Sequence, residues 1–369
     1  MAEGGHKPFP HKPVYQKNAL AWRDNFCTFL TLCDFFSIFY MYMDWKILTL
    51  NDFYFLKNCI SDSELEGSDT SLVNIFLLQK KYDTKTAIAG GFLFRYYTGG
   101  ENRTGYGFPL KLHGQNLPEG DKNSSLHTAI SFIVDDAESN HRDVKFCLLT
   151  ESQKNLLDAC VKSDFPELNF EWQTNRDDCD YIYVREKLAA LQGKTYHKKK
   201  NHVSRFLRNY EGRWEFRSLN LCNINDDMIF VAQKWLEERF ATVEMGAEEK
   251  NILTLEHEMI QTALKNKEDF ALDGGVLYTN GKPVAMTLAS RISEKTLDVH
   301  FEKCLSEAAA NGAYAAINWC FANACDSYEF LNREEDMGVE GLRKAKLSYH
   351  PDKLLEKFYS CGNVRKSGA

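Results

Sequence analysis

The chain has 369 residues, of which 44% are hydrophobic and 26% charged, as is typical of soluble globular proteins with room for two domains. Its formal net charge of −7 argues against a protein that coats nucleic acid through bulk charge, although a local basic patch remains compatible with it. The 11 cysteines show no C-x-x-C spacing, which argues against zinc and disulfide frameworks and indicates free thiols in a reducing cytosol.

The first 44 residues differ in composition from the rest and are predicted to be a poorly defined N-terminal extension. Within them, residues 26–43 are the candidate for a membrane anchor, and Asp34 interrupts this apolar run. Crossing a bilayer takes about 20 apolar residues, and a central Asp opposes insertion by roughly 2.5–3.5 kcal/mol. We therefore expect a packed or irregular segment, with an anchor as the alternative.

From residue 45 the hydrophobic pattern becomes regular and predicts a first α/β unit that extends to residue 190. Asn51 is the expected N-cap of its first helix. Helices are predicted at residues 51–61, 124–138 and 151–162. Strands are predicted at residues 74–82, 86–97, 105–110, 144–149 and 180–185.

A second unit is predicted over residues 191–369, after a junction at residues 191–194. Helices are predicted at residues 196–210, 226–240, 253–265 and 313–324, with a last short helix that Pro351 ends. Strands are predicted at residues 214–219, 275–278, 283–292, 295–303 and 328–331. An Asn-Gly hairpin turn joins the strand at 275–278 to the strand at 283–292. The similar order of elements in both units predicts a duplicated α/β fold with mixed sheets.

The predicted strand at residues 295–303 alternates apolar and polar residues. Leu297, Val299 and Phe301 are expected on one face, and the opposite face is expected to carry Thr296, Asp298, His300 and Glu302. On an edge strand the polar face would simply meet water. Inside a covered sheet it must line a cavity or be paired, and His300 and Glu302 then become candidates for general acid–base catalysis.

The charged segment after the last predicted strand is the second candidate for a site, because α/β folds tend to place their sites where strands end. Glu334 and Glu335 could bind an amine or act as a base, and Arg343 and Lys346 lie three residues apart on one side of a helix. A salt-bridge network among these four residues is the simpler interpretation.

Basic residues are concentrated in and just before the predicted helix at residues 196–210. They are Lys194, His197, Lys198, Lys199, Lys200, His202, Arg205 and Arg208. This helix is either a solvated surface or a contact for phosphates, of an RNA or of a phospholipid headgroup. Gly312, just before the helix at residues 313–324, either forms an ordinary cap or exposes backbone N–H groups to a pyrophosphate.

Several motifs occur in the order found in one known family. They are D-Y-I-Y at 180–183, L-Q-G-K at 191–194, H-K-K-K-N at 197–201, V-H-F-E-K at 299–303, G-A-Y at 312–314, N-R-E-E-D-M-G at 332–338, G-L-R-K-A-K at 341–346 and S-Y-H-P at 348–351. From residue 45 onward the chain therefore resembles soluble bacterial proteins related to the C-terminal catalytic domain of phosphatidylglycerol lysyltransferases. The resemblance implies two tandem GNAT-like acyltransferase domains, with the active site in the second, as also in Fem-type peptidyltransferases.

Relatives of this kind move an amino acid from aminoacyl-tRNA to a hydroxyl, so the resemblance implies an aminoacyltransferase acting on an amine or hydroxyl acceptor. No tightly bound cofactor and no metal are expected. The implied catalytic residues are His300, Glu302, Glu334, Glu335, Arg343 and Lys346. The implied substrate-binding residues are Lys198, Lys199, Lys200, Arg205, Lys303, Gly312, Tyr314, Asn332 and Arg333, with the basic helix facing a tRNA acceptor end or a lipid phosphate.

Several alternatives remain open. The base is Glu302, Glu334 or Glu335, and the oxyanion is stabilised by Arg343, Lys346 or a backbone N–H. The donor could instead be acyl-CoA, or the protein could be a non-catalytic module that binds tRNA or an anionic membrane. The authentic lipid enzymes carry a large multi-helix membrane domain that this sequence does not match, so a lipid acceptor stays open, and we expect a cytoplasmic protein or one peripheral to the membrane.

Overall fold

The computed structural model describes residues 43–60, 65–114, 117–122 and 124–361. The predicted N-terminal extension and its candidate anchor therefore lie outside the described residues, apart from residues 43 and 44. No helix in the described ranges is long and apolar enough to cross a membrane. The described cysteines are all free thiols, as the sequence predicts.

Helices and strands alternate along the described residues. The helices are α1 (Leu50–Leu56), α2 (Leu72–Leu78), α3 (Leu126–Ser139), α4 (Glu151–Asp164), α5 (Arg185–Ala190), α6 (His197–Asn209), α7 (Asn225–Thr242), α8 (Ala247–Lys265), α9 (Ser306–Ala310), α10 (Ala313–Ala324) and α11 (Glu340–Leu347). The strands are β1 (Lys85–Ala89), β2 (Phe92–Thr98), β3 (Thr104–Tyr106), β4 (Leu110–Lys111), β5 (Trp172–Thr174), β6 (Asp180–Val184), β7 (Trp214–Ser218), β8 (Asp273–Thr279), β9 (Lys282–Arg291), β10 (Thr296–Cys304), β11 (Phe330–Asn332), β12 (Lys353–Leu355) and β13 (Phe358–Ser360).

A seven-stranded sheet in the order β12-β6-β11-β10-β9-β8-β7 organises the second half of the chain. All neighbouring strands in it are antiparallel except β10 and β11, which are parallel. Strand β6 precedes the predicted junction at residues 191–194 and nevertheless lies between β12 and β11. The sheet thus combines strands from both sides of that junction, and the predicted division into two units stays a prediction.

Three hydrophobic clusters cover the two faces of this sheet. On one face α1, α2, α7 and α8 pack on Val276, Met286, Leu288 and Phe301. On the other face α5, α6 and α10 pack on residues that include Tyr183. Another cluster joins β2, α3 and α4 in the first half of the chain. The predicted mixed α/β fold class is confirmed.

A β-bulge in β10 changes which side chains share a face. Val299 pairs with Ala289 and Phe301 with Leu288, so His300 is an extra residue without a partner in this ladder. Val299 accordingly packs with α6 and α10, whereas Phe301 packs with α7 and α8 on the opposite face. The prediction that Leu297, Val299 and Phe301 share one face is wrong from the bulge onward, because an inserted residue reverses the alternation.

Five predictions in the first half are corrected. Residues 74–82 form helix α2 and its exit rather than a strand, because a short apolar run does not distinguish a buried helix from a strand. Residues 86–97 fold into the β1–β2 hairpin, and residues 105–110 divide between β3 and β4. Residues 144–149 make only isolated bridges. Thr49, rather than Asn51, caps α1 through a capping box with Asp52.

The remaining predicted elements are confirmed with shifts at their ends. These are α1, α3, α4, β6, α6, β7, α7, α8, β8, β9, β10, α10, β11 and α11. Helix α10 has the predicted bounds, and α8 begins six residues before the predicted position at 253.

Candidate functional site

The predicted polar segments meet where β10 and β11 separate. The two strands pair only through residues 296–298 and 330–332, whereas β10 continues to Cys304. Beyond this pairing the side chains of β10 lie next to the charged segment that follows Asn332. Because His300 is a bulge, these side chains divide into two groups on opposite faces of the sheet.

The first group, here called the His300 cluster, consists of Asn74, Ser290, Asp298, His300 and Glu334. His300 Nδ1 lies 3.1 Å from Glu334 Oε1 and 3.6 Å from Asp298 Oδ2, and its Nε2 lies 2.7 Å from Ser290 Oγ. The Asn74 amide donates to both Asp298 Oδ2 and Glu334 Oε1 at 2.9 Å. An imidazole between a hydroxyl and a carboxylate is suited to proton transfer.

Asp298 lies at the closed end of this cluster. Burial, followed by the charges of Glu334 and Asp180, raises the pKa of Asp298 well above its usual value. Its Oδ1 is buried and accepts no hydrogen bond from the residues described. Asp298, His300 and Glu334 each offer a donor atom within 4.8 Å of the others, so this set could hold a cation, although the Asn74 amide already bridges the two carboxylates.

The backbone of Glu334 is held in an uncommon conformation. Its φ is +55°, a region that L-residues rarely occupy and that is enriched at functional sites. Its N–H donates to Asn332 Oδ1 at 2.8 Å, and its carbonyl accepts from Tyr181 N and from Lys346 Nζ. These contacts fix the direction of the Glu334 carboxylate, which is 22% exposed while His300 is 2% exposed.

The second group, here called the Arg333 cluster, consists of Lys199, Glu302, Arg333 and Tyr349 on the α6 face. Arg333 Nη2 donates to Glu302 Oε1 at 3.1 Å. The Arg333 guanidinium and the Lys199 ammonium lie 4.9 Å and 3.6 Å from the centre of the Tyr349 ring. The prediction that His300 and Glu302 share a face is therefore wrong, because the bulge separates them.

Three other predicted catalytic residues form contacts that hold the charged segment after β11 in place. Glu335 accepts from Arg103 at 2.9 Å, and although burial would raise its pKa, Arg103 keeps that pKa below its usual value. Arg343 binds Asp336 at 2.8 Å and also pairs with Asp177. Lys346 is buried and donates to the carbonyls of Glu334 and Glu335. Their predicted catalytic roles stay predictions.

The predicted substrate-binding residues are distributed differently. Lys198, Lys200 and Arg205 are exposed on α6, and Tyr314 is at the edge of exposure on α10. Lys303 donates to Glu256 at 2.7 Å and lies 3.9 Å from the centre of the Trp235 ring. These side chains do not belong to either cluster.

Gly312 and Asn332 have clear packing roles. Gly312 has φ +98°, and a Cβ there would lie 2.5 Å from the carbonyl oxygen of His202 on α6. Asn332 is buried and donates to Asp180 Oδ2 at 2.8 Å and to the carbonyl of Glu66. Their predicted substrate contacts stay predictions.

Sequence reasoning missed Asn74, Ser290 and Asp298 as site residues. Asn74 was placed on a predicted strand, and Ser290 comes from the neighbouring strand β9, so only the three-dimensional pairing brings them to His300. Asp298 was placed on the polar face with His300, and its two-residue spacing from that histidine was the available signal.

The structure is similar to several solved proteins. A conserved protein of unknown function from Bacteroides thetaiotaomicron is 30% identical, with a TM-score of 0.73, over 87% of this chain and 100% of that one. The C-terminal domain of a putative lysylphosphatidylglycerol synthetase from Agrobacterium fabrum is 14% identical, with a TM-score of 0.52, over 85% and 92% of the two chains. The L-PGS of Bacillus licheniformis is 12% identical, with a TM-score of 0.52, over 87% and 92%.

An uncharacterised protein of Mycoplasmoides gallisepticum is 20% identical over 215 residues, so the match spans 56% of this chain and 66% of that relative. The model of the family described as "Phosphatidylglycerol lysyltransferase, C-terminal" matches residues 61–361. This match confirms the resemblance stated from the motifs, and with it the GNAT-like fold and a family of acyltransferases. The chain belongs to the phosphatidylglycerol lysyltransferase C-terminal family.

Proposed function

We propose that the protein transfers an aminoacyl group from an aminoacyl-tRNA to an amine or hydroxyl acceptor, with Glu334 as the general base. The observation that carries this proposal is the surroundings of the three candidate glutamates. Glu302 and Glu335 are each paired with an arginine, so their carboxylates are already engaged by a cation. The Glu334 carboxylate instead contacts the Asn74 amide and His300, and it is partly exposed.

In the proposed reaction, Glu334 removes a proton from the acceptor as the acceptor attacks the ester carbonyl of the donor. A bond forms between the acceptor and the carbonyl carbon, and the negative charge passes to the carbonyl oxygen. The intermediate collapses by breaking the ester bond, and the departing ribose oxygen takes the proton from Glu334. His300, which contacts both Glu334 and Ser290, stabilises the proton while it resides in the cluster.

The bulge supplies a candidate for stabilising the oxyanion. His300 is the extra residue of the bulge and has no Cα partner in the β9–β10 register. Among the alternatives considered, a backbone N–H at the bulge fits better than Arg343 or Lys346, because both of those side chains already bind carboxylates or carbonyls. We assign Arg343 and Lys346 as positioning residues.

Glutamate substitutions in a transfer assay test this proposal. The protein is incubated with a mixture of aminoacyl-tRNAs and a cell extract, and acylated products are measured by mass spectrometry. We expect Glu334→Gln to slow transfer by about 10²–10⁴-fold without unfolding the protein, the usual contribution of a general base. Glu329→Gln, at an exposed position, is the matched control. Undiminished transfer by the Glu334→Gln variant refutes the assignment.

The same assay separates the alternatives. Consumption of acyl-CoA, with no consumption of charged tRNA, supports an acyl-CoA-dependent transferase. Consumption of neither donor, together with salt-sensitive tRNA binding that survives Glu334→Gln, supports a non-catalytic binding module.

A further inference from the structure

The Arg333 cluster carries an imbalance of charge in a place that is largely removed from water. Lys199 and Arg333 both lie against the Tyr349 ring, and Glu302 is the carboxylate that pairs with Arg333. The Arg333 and Glu302 side chains are only 11% and 13% exposed. Two cations and one carboxylate therefore leave one positive charge without a counter-ion.

The unpaired charge is visible at specific atoms. Arg333 Nη1 is buried and donates to no acceptor in the described part of the chain. Leaving a buried charged donor unpaired is unfavourable, so an unpaired guanidinium N–H marks a place that an acceptor would fill. The Lys199 ammonium forms no ion pair with a described carboxylate either, and it lies against the Tyr349 ring.

The pKa of Lys199 is lowered in these surroundings. Burial, and then the nearby Arg333 charge, lowers the pKa of Lys199 to about 8, and Glu302 opposes the shift. An anion bound beside Lys199 would favour the charged ammonium and raise this pKa again.

The exposed side of α6 continues the positive surface. A recess of about 500 Å³ is lined by Asn201, His202, Ser204, Arg205 and Arg208. Beyond the effect of burial, Arg205 and Lys199, each three residues from His202 on α6, both lower the pKa of His202.

The surface of α6 suits an RNA better than a membrane. None of the large hydrophobic side chains that are exposed in the described residues lies on α6. Helices that bind a membrane surface combine cations with an apolar face that enters the lipid. A charged recess without such a face is typical of contacts to a phosphate backbone.

We propose that Lys199 and Arg333 form a phosphate-binding subsite for the acceptor end of an RNA donor, and that the α6 recess contacts its neighbouring phosphates. The inference rests on the proposed function because that function supplies the RNA. The subsite lies on the face of the sheet opposite the His300 cluster, and the separation of β10 and β11 lies between the two.

Binding of uncharged tRNA at fixed salt tests the subsite without requiring transfer. We expect Lys199→Met and Arg333→Met each to weaken binding by about tenfold and to lower the slope of log affinity against log salt by about one. Lys250→Met, at an exposed position on α8, should bind as the unmodified protein does. Thermal unfolding of each variant verifies that it is folded.

The pH dependence of binding provides a second readout. The groups near Lys199 are Glu302 on β10, Arg333 after β11, Tyr349 after α11 and His202 on α6. Because binding needs the ammonium, affinity should fall as pH rises through about 8. Lys199→Arg should keep the affinity and lose this dependence, because a guanidinium stays charged.

Two further probes distinguish the source of the phosphate. Vesicles containing phosphatidylglycerol, and inorganic phosphate, are titrated against the same variants. If Lys199 and Arg333 affect vesicle or phosphate binding while tRNA binding is unchanged, the proposal is overturned. Equal tRNA affinity of all the variants also overturns it. tRNA binding that depends on both residues supports the subsite even if transfer is never detected, in which case only the proposed function fails.

Discussion

Glu302 and Arg333 form an ion pair of 3.1 Å across the gap in which β10 and β11 no longer share backbone hydrogen bonds. Glu302 belongs to β10, and Arg333 is the first residue after β11. The pair therefore connects the two strands where the ladder has ended. Because both side chains are nearly buried, each depends on the other for compensation of its charge.

The first prediction concerns this pair. Glu302→Gln should lower the free energy of unfolding by about 3 kcal/mol, because Arg333 would remain buried without its counter-ion. Denaturant unfolding at neutral pH measures the change. Glu215→Gln breaks the exposed pair between Glu215 and Arg217 and should have little effect on stability. A similar loss in both variants would contradict the burial argument.

The second prediction concerns Asn74, whose amide bridges the carboxylates of Asp298 and Glu334. Asn74→Ala should reduce the free energy of unfolding by about 2–3 kcal/mol, because the buried Asp298 and the partly exposed Glu334 lose a shared donor. Asn74→Asp should lower the free energy of unfolding further, since it replaces the donor with a third carboxyl group beside Asp298 and Glu334. Asn58→Ala, at an exposed position, is the control for both in denaturant unfolding. A stable Asn74→Asp variant would show that the cluster holds a cation or extra protons.

The third prediction concerns stability in acid. Burial opposes ionisation of Asp336, but hydrogen bonds from Arg343, Tyr181 and Gly338 lower its pKa from 3.8 to about 2. Because the pKa is lower in the folded state, the Asp336 carboxylate contributes fully to the free energy of unfolding above about pH 5. This contribution is lost as the pH falls toward 2. The shift corresponds to about 2 kcal/mol.

Unfolding free energies of the unmodified protein and of Asp336→Asn, measured from pH 7 to pH 3, check this prediction. The difference in free energy of unfolding between the two proteins should become smaller as the pH falls. A gap that does not change with pH would mean that Asp336 is not the group responsible.

The fourth prediction separates two costs at a glycine. Gly312→Ala must adopt φ +98° and also place a Cβ 2.5 Å from the His202 carbonyl oxygen, so we expect it to lower the melting temperature strongly. Gly193→Ala faces a similar φ of +85°, with no atom within 4 Å of the new Cβ. In Gly193→Ala the free energy of unfolding should fall only by the cost of the left-handed backbone conformation, about 1–2 kcal/mol. Equal melting temperatures for the two variants would exclude the close approach of α10 to α6.

The sequence predicts the fold well where a hydrophobic pattern repeats over many residues. Helices such as α4, α6 and α10 were predicted close to their bounds, because an apolar stripe recurs over several turns in each. Most of helix α2 falls in a predicted strand, because its seven residues are too few to show a helical period and are buried by tertiary packing. Strand β6 was predicted, but its position between β11 and β12 depends on pairing that no local pattern encodes.

The candidate site was predicted in part for a similar reason. The motifs that contain His300 and Glu334 identify the right segments, and these two side chains meet at 3.1 Å. The bulge was not predicted, because the sequence of β10 alternates between polar and apolar residues without interruption. Nothing in that pattern shows where one residue is left out of the pairing with β9. As a result, Glu302 was assigned to the same face as His300, whereas it belongs with Arg333.

During translation β6 leaves the ribosome long before the strands on either side of it. Its Tyr181 binds Asp336, which is made 155 residues later, a delay on the order of ten seconds at ordinary synthesis rates. Until β11 and β12 follow, both edges of β6 are open to pairing with other chains. The nascent polypeptide therefore needs protection over this interval, and closure of the sheet around β6 coincides with the assembly of the His300 cluster.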